Sequence, residues 1–286
     1  MRRVLLFIGM LSLLSVCVSA QNLQADHHEH AAAMSFAAVE QEWAKQHLDK
    51  SPRHQEWVQV KYGNRTVNSF IVYPEVKNKA TAVVVIHEIF GMSDWVRSLT
   101  DQLAEAGYIA IAPDLLSGMG PKGGGSGDFD SNTVRQAISA LPADQITADL
   151  NAVADYVAKQ PSCNGKVAVA GFCYGGSQSF RFATNRPTLK AAFVFYGTGP
   201  DSKDAIAKIK CPVYGFYGGN DARVTATVPK SQELMKEAGK TYEPVAYEGA
   251  GHGFMRAGED PGDKNPANKK ARDEAWVRWK ELLKNL

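Results

Sequence analysis

The sequence predicts an α/β protein, a mostly parallel sheet of about eight strands with helices on both faces. Two observations carry this. Short apolar runs recur along the chain, TAVVVIH (81–87), YIAIAP (108–113), KVAVAGF (166–172), AAFVFYG (191–197), PVYGFYG (212–218) and EPVAYE (243–248). Helical patterns separate them, including 143–159, 229–238 and an amphipathic closing segment 265–286 with Trp276, Trp279, Leu282 and Leu283 on one side. Continuous apolar strands alternating with helices need cover on both faces, which is the condition of a buried parallel sheet.

Taken in order, residues 1–20 place Arg2 and Arg3 before an apolar run that closes on Val18, Ser19 and Ala20. They read as a cleaved signal peptide, which makes the expected location periplasmic or secreted. Residues 21–55 are polar and read as an extension, with one helix around 35–47. Residues 56–286 form the expected single domain. It opens on two alternating strands, WVQVKY and TVNSFIVYP, joined at Gly63 and Asn64. The stretch 117–132 is too rich in Gly and Ser for regular structure and leaves the carboxyl end of a strand, where long loops commonly border a site.

The chain has 286 residues, 44% hydrophobic, with 32 basic and 30 acidic side chains. Loss of residues 1–20 leaves the charges balanced, so there is no basic footprint for nucleic acid or an anionic membrane, and no stable membrane anchor is expected. Cys163 and Cys211 each precede a strand. With the 191–197 strand between theirs they stand too far apart for a disulfide and are expected as buried thiols. Asp26, His27, His28 and His30 could hold a transition metal, but crowded ligands without a folded frame make a weak site, and none is assigned.

GFCYGG (171–176) follows one apolar run and precedes a helical stretch, the context of a nucleophile elbow. Gly171 and Gly175 permit close packing at the corner. The helix N-terminus behind Cys173 should lower its thiol pKa. Asp221 ends GGND and His252 sits in GAGHGF, each just past a strand. The order Cys173, Asp221, His252 is the nucleophile, acid, histidine order of the α/β-hydrolase fold. In that fold the residue after the nucleophile and a backbone N–H on the first central loop form the oxyanion hole, here Tyr174 and Ile89. A zinc-protease reading of His87 and Glu88 fails, because its second histidine would fall where Gly91 stands. Glu88, closing an apolar strand, is a carboxylate that is costly to bury without a task.

VIHEIFG, PDLL, GFCYGG, FYGGND and GAGHGFMR together resemble the dienelactone hydrolase family, from about Trp57 to the C-terminus, and with the exported N-terminus its secreted bacterial branch. The resemblance implies a Cys173, His252, Asp221 triad. It implies that Glu88 holds the resting thiol and is displaced by a substrate carboxylate, and that Arg256, four residues past the histidine, binds that carboxylate. The family's second substrate arginine, on the lid after PDLL, has no aligned counterpart here; Arg135 lies about one helical turn away.

The expected function is hydrolysis of a small ester or lactone, dienelactone-like or otherwise carboxylate-bearing, without metal or organic cofactor. Alternatives are a general carboxylesterase or thioesterase and, in another class, a non-catalytic periplasmic binding, metal or redox protein. Redox chemistry is disfavoured by the lack of a CxxC pair. Oligomeric state is left unassigned.

Overall fold

A computed structural model describes residues 41–286; the expected signal peptide and the Asp26–His30 cluster lie outside the described residues. The chain runs α1 (Glu42–Lys50), β1 (Gln55–Tyr62), β2 (Arg65–Val72), β3 (Ala80–Ile86), α2 (Asp94–Glu105) and β4 (Ile109–Pro113). It continues through α3 (Thr133–Ser139), α4 (Ala143–Ala158), β5 (Cys163–Phe172), α5 (Tyr174–Asn185), β6 (Ala192–Phe195), α6 (Lys203–Ala207) and β7 (Val213–Gly218). The last elements are α7 (Ala222–Thr225), α8 (Val228–Glu237), β8 (Tyr242–Tyr247), α9 (Phe254–Ala257) and α10 (Pro266–Lys284). Among the described residues no helix is long and apolar enough to cross a membrane.

The eight strands form one sheet in the order β1-β2-β4-β3-β5-β6-β7-β8. β1/β2 and β2/β4 are antiparallel and all other pairs parallel. Every residue of β3 is buried, and alternate side chains feed different cores. Val84 and Ile86 pack with Leu150, Val153 and Phe180 from α4 and α5. Val83 and Val85 pack on the other face with Trp95, Leu99 and Trp279 from α2 and α10. Both faces are covered, which is why the central runs carry no alternation.

The sheet has its switch point at β3. The chain steps from β3 to β4 on one side, then crosses to β5 on the other. The loops leaving β3 and β5 therefore diverge at their carboxyl ends and open a crevice, where α/β proteins bind ligands. Cys163 and Cys211 stand at the opposite ends of β5 and β7 as separate buried thiols, with β6 between the two strands.

Two segments gain contacts that their sequence reading did not include. The helix expected around 35–47 spans 42–50 among the described residues, and it packs on α2 instead of standing apart. Ala44 and Leu48 are buried, Gln41 Oε1 accepts the Trp95 N–H at 2.7 Å, and Arg53 clasps the fully buried Asp101 at 2.6 Å. The Gly-rich 117–132 loop, although mostly turns, is tied down. Asp114 accepts from Ser126 N at 2.7 Å and Leu116 N at 3.0 Å, and Arg65 reaches the carbonyls of Leu115 and Ser117. Short local hydrogen bonds do there what a helix or strand would do elsewhere.

A chain beginning at Ser51 should lose about 2–4 kcal/mol of stability in urea unfolding, from the uncovered face of α2, with kcat on a small ester little changed. A large kcat loss in a folded truncation would instead put residues before Ser51 in the site.

Candidate active site

Cys173 stands between β5 and α5 with φ +55°, a conformation that a side-chain-bearing residue holds only when its surroundings impose it. They do so through contact. A Cβ on Gly171 would lie 1.8 Å from the Gly175 carbonyl oxygen, and one on Gly175 would lie 2.2 Å from that of Ile86. Only glycine fits at either place, and the corner is further pinned by Cys173 N–H donating to Phe195 O at 3.0 Å. The elbow holds the thiol at the mouth of the crevice. The backbone N–H groups of Tyr174 and Ile89 lie close enough to the sulfur to favour its anion.

The thiol departs from the sequence expectation in one respect. Burial, and after it the negative charge of Glu88, push its pKa up to about 11, against the lowering by the two N–H donors and by Arg223. A helix N-terminus is a partial charge, and here it loses to desolvation and to a full anion nearby. The resting sulfur is a thiol, not a thiolate.

Asp221 follows β7 and His252 follows β8, on neighbouring parallel strands, so their loops meet on one rim. His252 Nδ1–H donates to Asp221 Oδ2 at 2.5 Å. That bond fixes the tautomer and leaves Nε2 as the free acceptor. The histidine loop is held from α10, where Asn268 Oδ1 accepts the Gly251 N–H at 2.9 Å. Among the described residues the thiol itself has no side-chain hydrogen-bond partner, neither His252 nor Glu88.

Glu88 is buried just past β3, and Arg256 in α9 donates from Nε to its Oε2 at 2.8 Å. Glu88's charge is the main reason that the Arg256 pKa lies above its usual value. The Arg256 guanidinium lies 5.5 Å from the centroid of the Phe90 ring, and that of Arg135, on α3, lies 5.8 Å from the same ring. Arg135 thus borders the site across Phe90, without touching Glu88. A cavity of about 190 Å³ beside them is lined by Phe90, Met92, Ser126, Phe129 and Val134. The larger groove of about 640 Å³ lies elsewhere, around Trp43, Arg272 and Trp276, and includes none of these groups.

His87 spends both ring nitrogens on the backbone, with Nδ1–H donating to Glu88 O at 2.7 Å and Nε2 accepting from Leu115 N–H at 3.4 Å. Burial lowers its pKa and keeps it neutral. It ties the loop carrying Ile89 to the start of the loop after β4. Three residues at the site were not anticipated from sequence: Phe90, Arg223 and Tyr196. Tyr196 was the most accessible of them to such reasoning, because it ends the 191–197 run and a residue leaving a central strand must lie on the rim.

The sequence pattern of the dienelactone hydrolase family matches residues 67–286. A Saccharolobus solfataricus protein provisionally named a carboxymethylenebutenolidase is 31% identical over 253 residues, 77% of this chain and 94% of its own. The carboxymethylenebutenolidase of Pseudomonas putida is 31% identical over 202 residues, 68% of this chain and 83% of its own. A crystal structure from Klebsiella pneumoniae, provisionally named a dienelactone hydrolase, superposes with a TM-score of 0.71 at 26% identity, covering 82% of this chain and 99% of that one. With the pattern extending from β2 through the elbow, the two rim loops and the last helix, this chain belongs to the dienelactone hydrolase family.

Proposed function

We propose that the chain hydrolyses an ester or lactone bearing a free carboxylate, through an acyl-enzyme on Cys173. The observation that carries this is one rim holding a strained cysteine between two N–H donors, a histidine oriented by a carboxylate, and a buried Glu88–Arg256 pair. A neutral ester has nothing with which to compete for Arg256. A substrate carboxylate does, and it can take Glu88's place on the guanidinium at little net electrostatic cost.

The sequence of events follows from the charges. With the substrate carboxylate on Arg256, Glu88 is released and its field on the sulfur changes. His252 Nε2 takes the thiol proton, and Asp221 steadies the resulting imidazolium. The sulfur adds to the substrate carbonyl, and the new oxyanion lies against the N–H groups of Ile89 and Tyr174. On collapse the C–O bond breaks, His252 returns its proton to the leaving alkoxide, and a thioester remains on Cys173. His252 then deprotonates water, which attacks the thioester and releases the acid and the free thiol. The balance is ester plus water to acid plus alcohol, with the two products joined when the substrate is a lactone.

A resting thiol of high pKa suits this scheme. It guards a partly buried nucleophile from adventitious electrophiles until the correct anion arrives. The second reading, a general carboxylesterase or thioesterase, uses the same triad without the exchange and is distinguished by substrate charge.

Cys173→Ala should abolish turnover while Cys163→Ala and Cys211→Ala retain it; loss of activity in folded Cys163→Ala would overturn the assignment. Arg256→Ala should lower kcat/KM for a carboxylate-bearing monoester roughly 30- to 1000-fold more than for its methyl-capped counterpart, the effect of losing a partly buried charge-assisted contact. Equal losses on both substrates would favour the general esterase. Iodoacetamide alkylation mapped to Cys173 should rise about tenfold per pH unit from neutral to pH 9, because the thiolate is a minor species throughout that range. Glu88→Gln should speed alkylation at fixed pH by removing the anion. A plateau near pH 8 in the unmodified chain would contradict a protonated resting thiol.

A further inference from the structure

Only two non-glycine residues among those described have φ in the left-handed region, Cys173 at +55° and Tyr196 at +39°. They sit on adjacent strands of the same rim. Cys173 N–H donates to Phe195 O at 3.0 Å, and Tyr196 N–H donates to Phe216 O at 2.8 Å. A bulky residue keeps such a backbone only where the structure over-determines it, and such places cluster at functional sites. Here the twist turns the Tyr196 ring edge-on against His252 at 5.1 Å and Phe254 at 5.4 Å.

The residue is 1% exposed, yet its hydroxyl has no hydrogen-bond partner among the described residues. Buried hydroxyls are nearly always satisfied, so an unpaired one beside a nucleophile calls for an explanation. Burial, with the Glu88 charge next, holds the phenol well above its usual pKa, so it remains a neutral donor. Glu88, Arg256 and Cys173 are all near enough to act on it; of these Glu88 is the strong acceptor, and its carboxylate already stands close enough to favour the protonated phenol slightly, although no hydrogen bond of normal geometry joins them. In the resting site Glu88 is engaged by Arg256.

We propose that Tyr196 is a positioning residue that receives Glu88, its O–H donating to the carboxylate once a substrate carboxylate has taken Arg256. The inference rests on the exchange reading above. A hydroxyl that makes no well-formed hydrogen bond in the resting state and a full one in the exchanged state offsets part of the cost of separating Glu88 from Arg256. Without it, the displaced carboxylate would be a buried charge lacking a donor, which disfavours the exchange. The phenol therefore biases the site toward answering a carboxylated substrate, and it draws Glu88 to a defined place instead of leaving it to block the carbonyl.

The test is Tyr196→Phe, which keeps the ring and its packing and removes one oxygen. The substrates are the p-nitrophenyl monoester of a short dicarboxylic acid and the same compound with its free carboxyl methylated. The variant should lose about 10- to 100-fold more kcat/KM on the free acid than on the methylated ester, the range for a hydrogen bond to a charged group. Its melting temperature should be no lower than that of the unmodified chain, since an unpaired hydroxyl has gone. In a Glu88→Gln background the same substitution should add no further selective loss, because its acceptor has already been altered. Equal losses on both substrates, a lowered melting temperature with them, or fully retained preference would each overturn the role of Tyr196. If the unmodified chain shows no preference for the free acid, the exchange reading fails and this proposal falls with it. A preference that survives Tyr196→Phe leaves the exchange standing and removes only the tyrosine.

Discussion

Glu88 and Arg256 hold each other in a place where neither charge would be stable alone, and the site's behaviour is arranged around that pair. A buried ion pair contributes little to stability, since desolvation consumes most of the attraction. In the proposed exchange its use is that breaking it requires a replacement anion. Burial first, and the same glutamate after it, raise the pKa of the Cys173 thiol and that of the Tyr196 phenol, so one carboxylate acts on two neighbours. Whatever moves Glu88 alters the field on the Cys173 thiol, and under the proposed exchange the group that moves it is another carboxylate reaching Arg256.

The sheet makes this proximity possible. Glu88 leaves β3, Cys173 leaves β5 and Tyr196 leaves β6, three consecutive strands in space contributed by segments far apart in sequence. The switch point at β3 opens the crevice, and the glycines at the elbow let α5 close against the carbonyl of Ile86. Strain at Cys173 and Tyr196 is borne by an aromatic core beneath them, in which Phe172, Phe195, Phe216 and Trp279 stack and interlock. A rigid base is what allows two residues to be held in conformations that they would otherwise leave.

Much of the molecule was legible in one dimension because its signals are local. Apolar runs such as TAVVVIH mark strands buried on both faces, the glycines around Cys173 mark a corner that admits no side chain, and Asp221 and His252 each stand just past a run. Glu88 was noticeable as a carboxylate at the end of an apolar strand, and Arg256 as an arginine within reach of the histidine loop. The family resemblance put Glu88 on the resting thiol and Arg256 on a substrate carboxylate, whereas the folded chain pairs the two with each other. Burial of α1 against α2 was not legible, because a short polar helix acquires its inner face only from its neighbour.

The sequence by itself determined the order of strands and helices, the elbow, and which side chains stand at strand ends, since these depend on hydrophobic period and backbone sterics within a few residues. It did not determine the state of those side chains. The helix N-terminus beside Cys173 argued for a lowered thiol pKa, whereas the folded chain surrounds the sulfur with apolar packing and an anion from another strand, and these outweigh the helix. Likewise Tyr196 reads in sequence as the last aromatic of a core strand. Only the tertiary structure turns its ring toward His252 and leaves its hydroxyl unpaired near Glu88. Electrostatic fields and hydrogen-bond vacancies sum over atoms brought together from distant segments, so they come into being only when the sheet assembles.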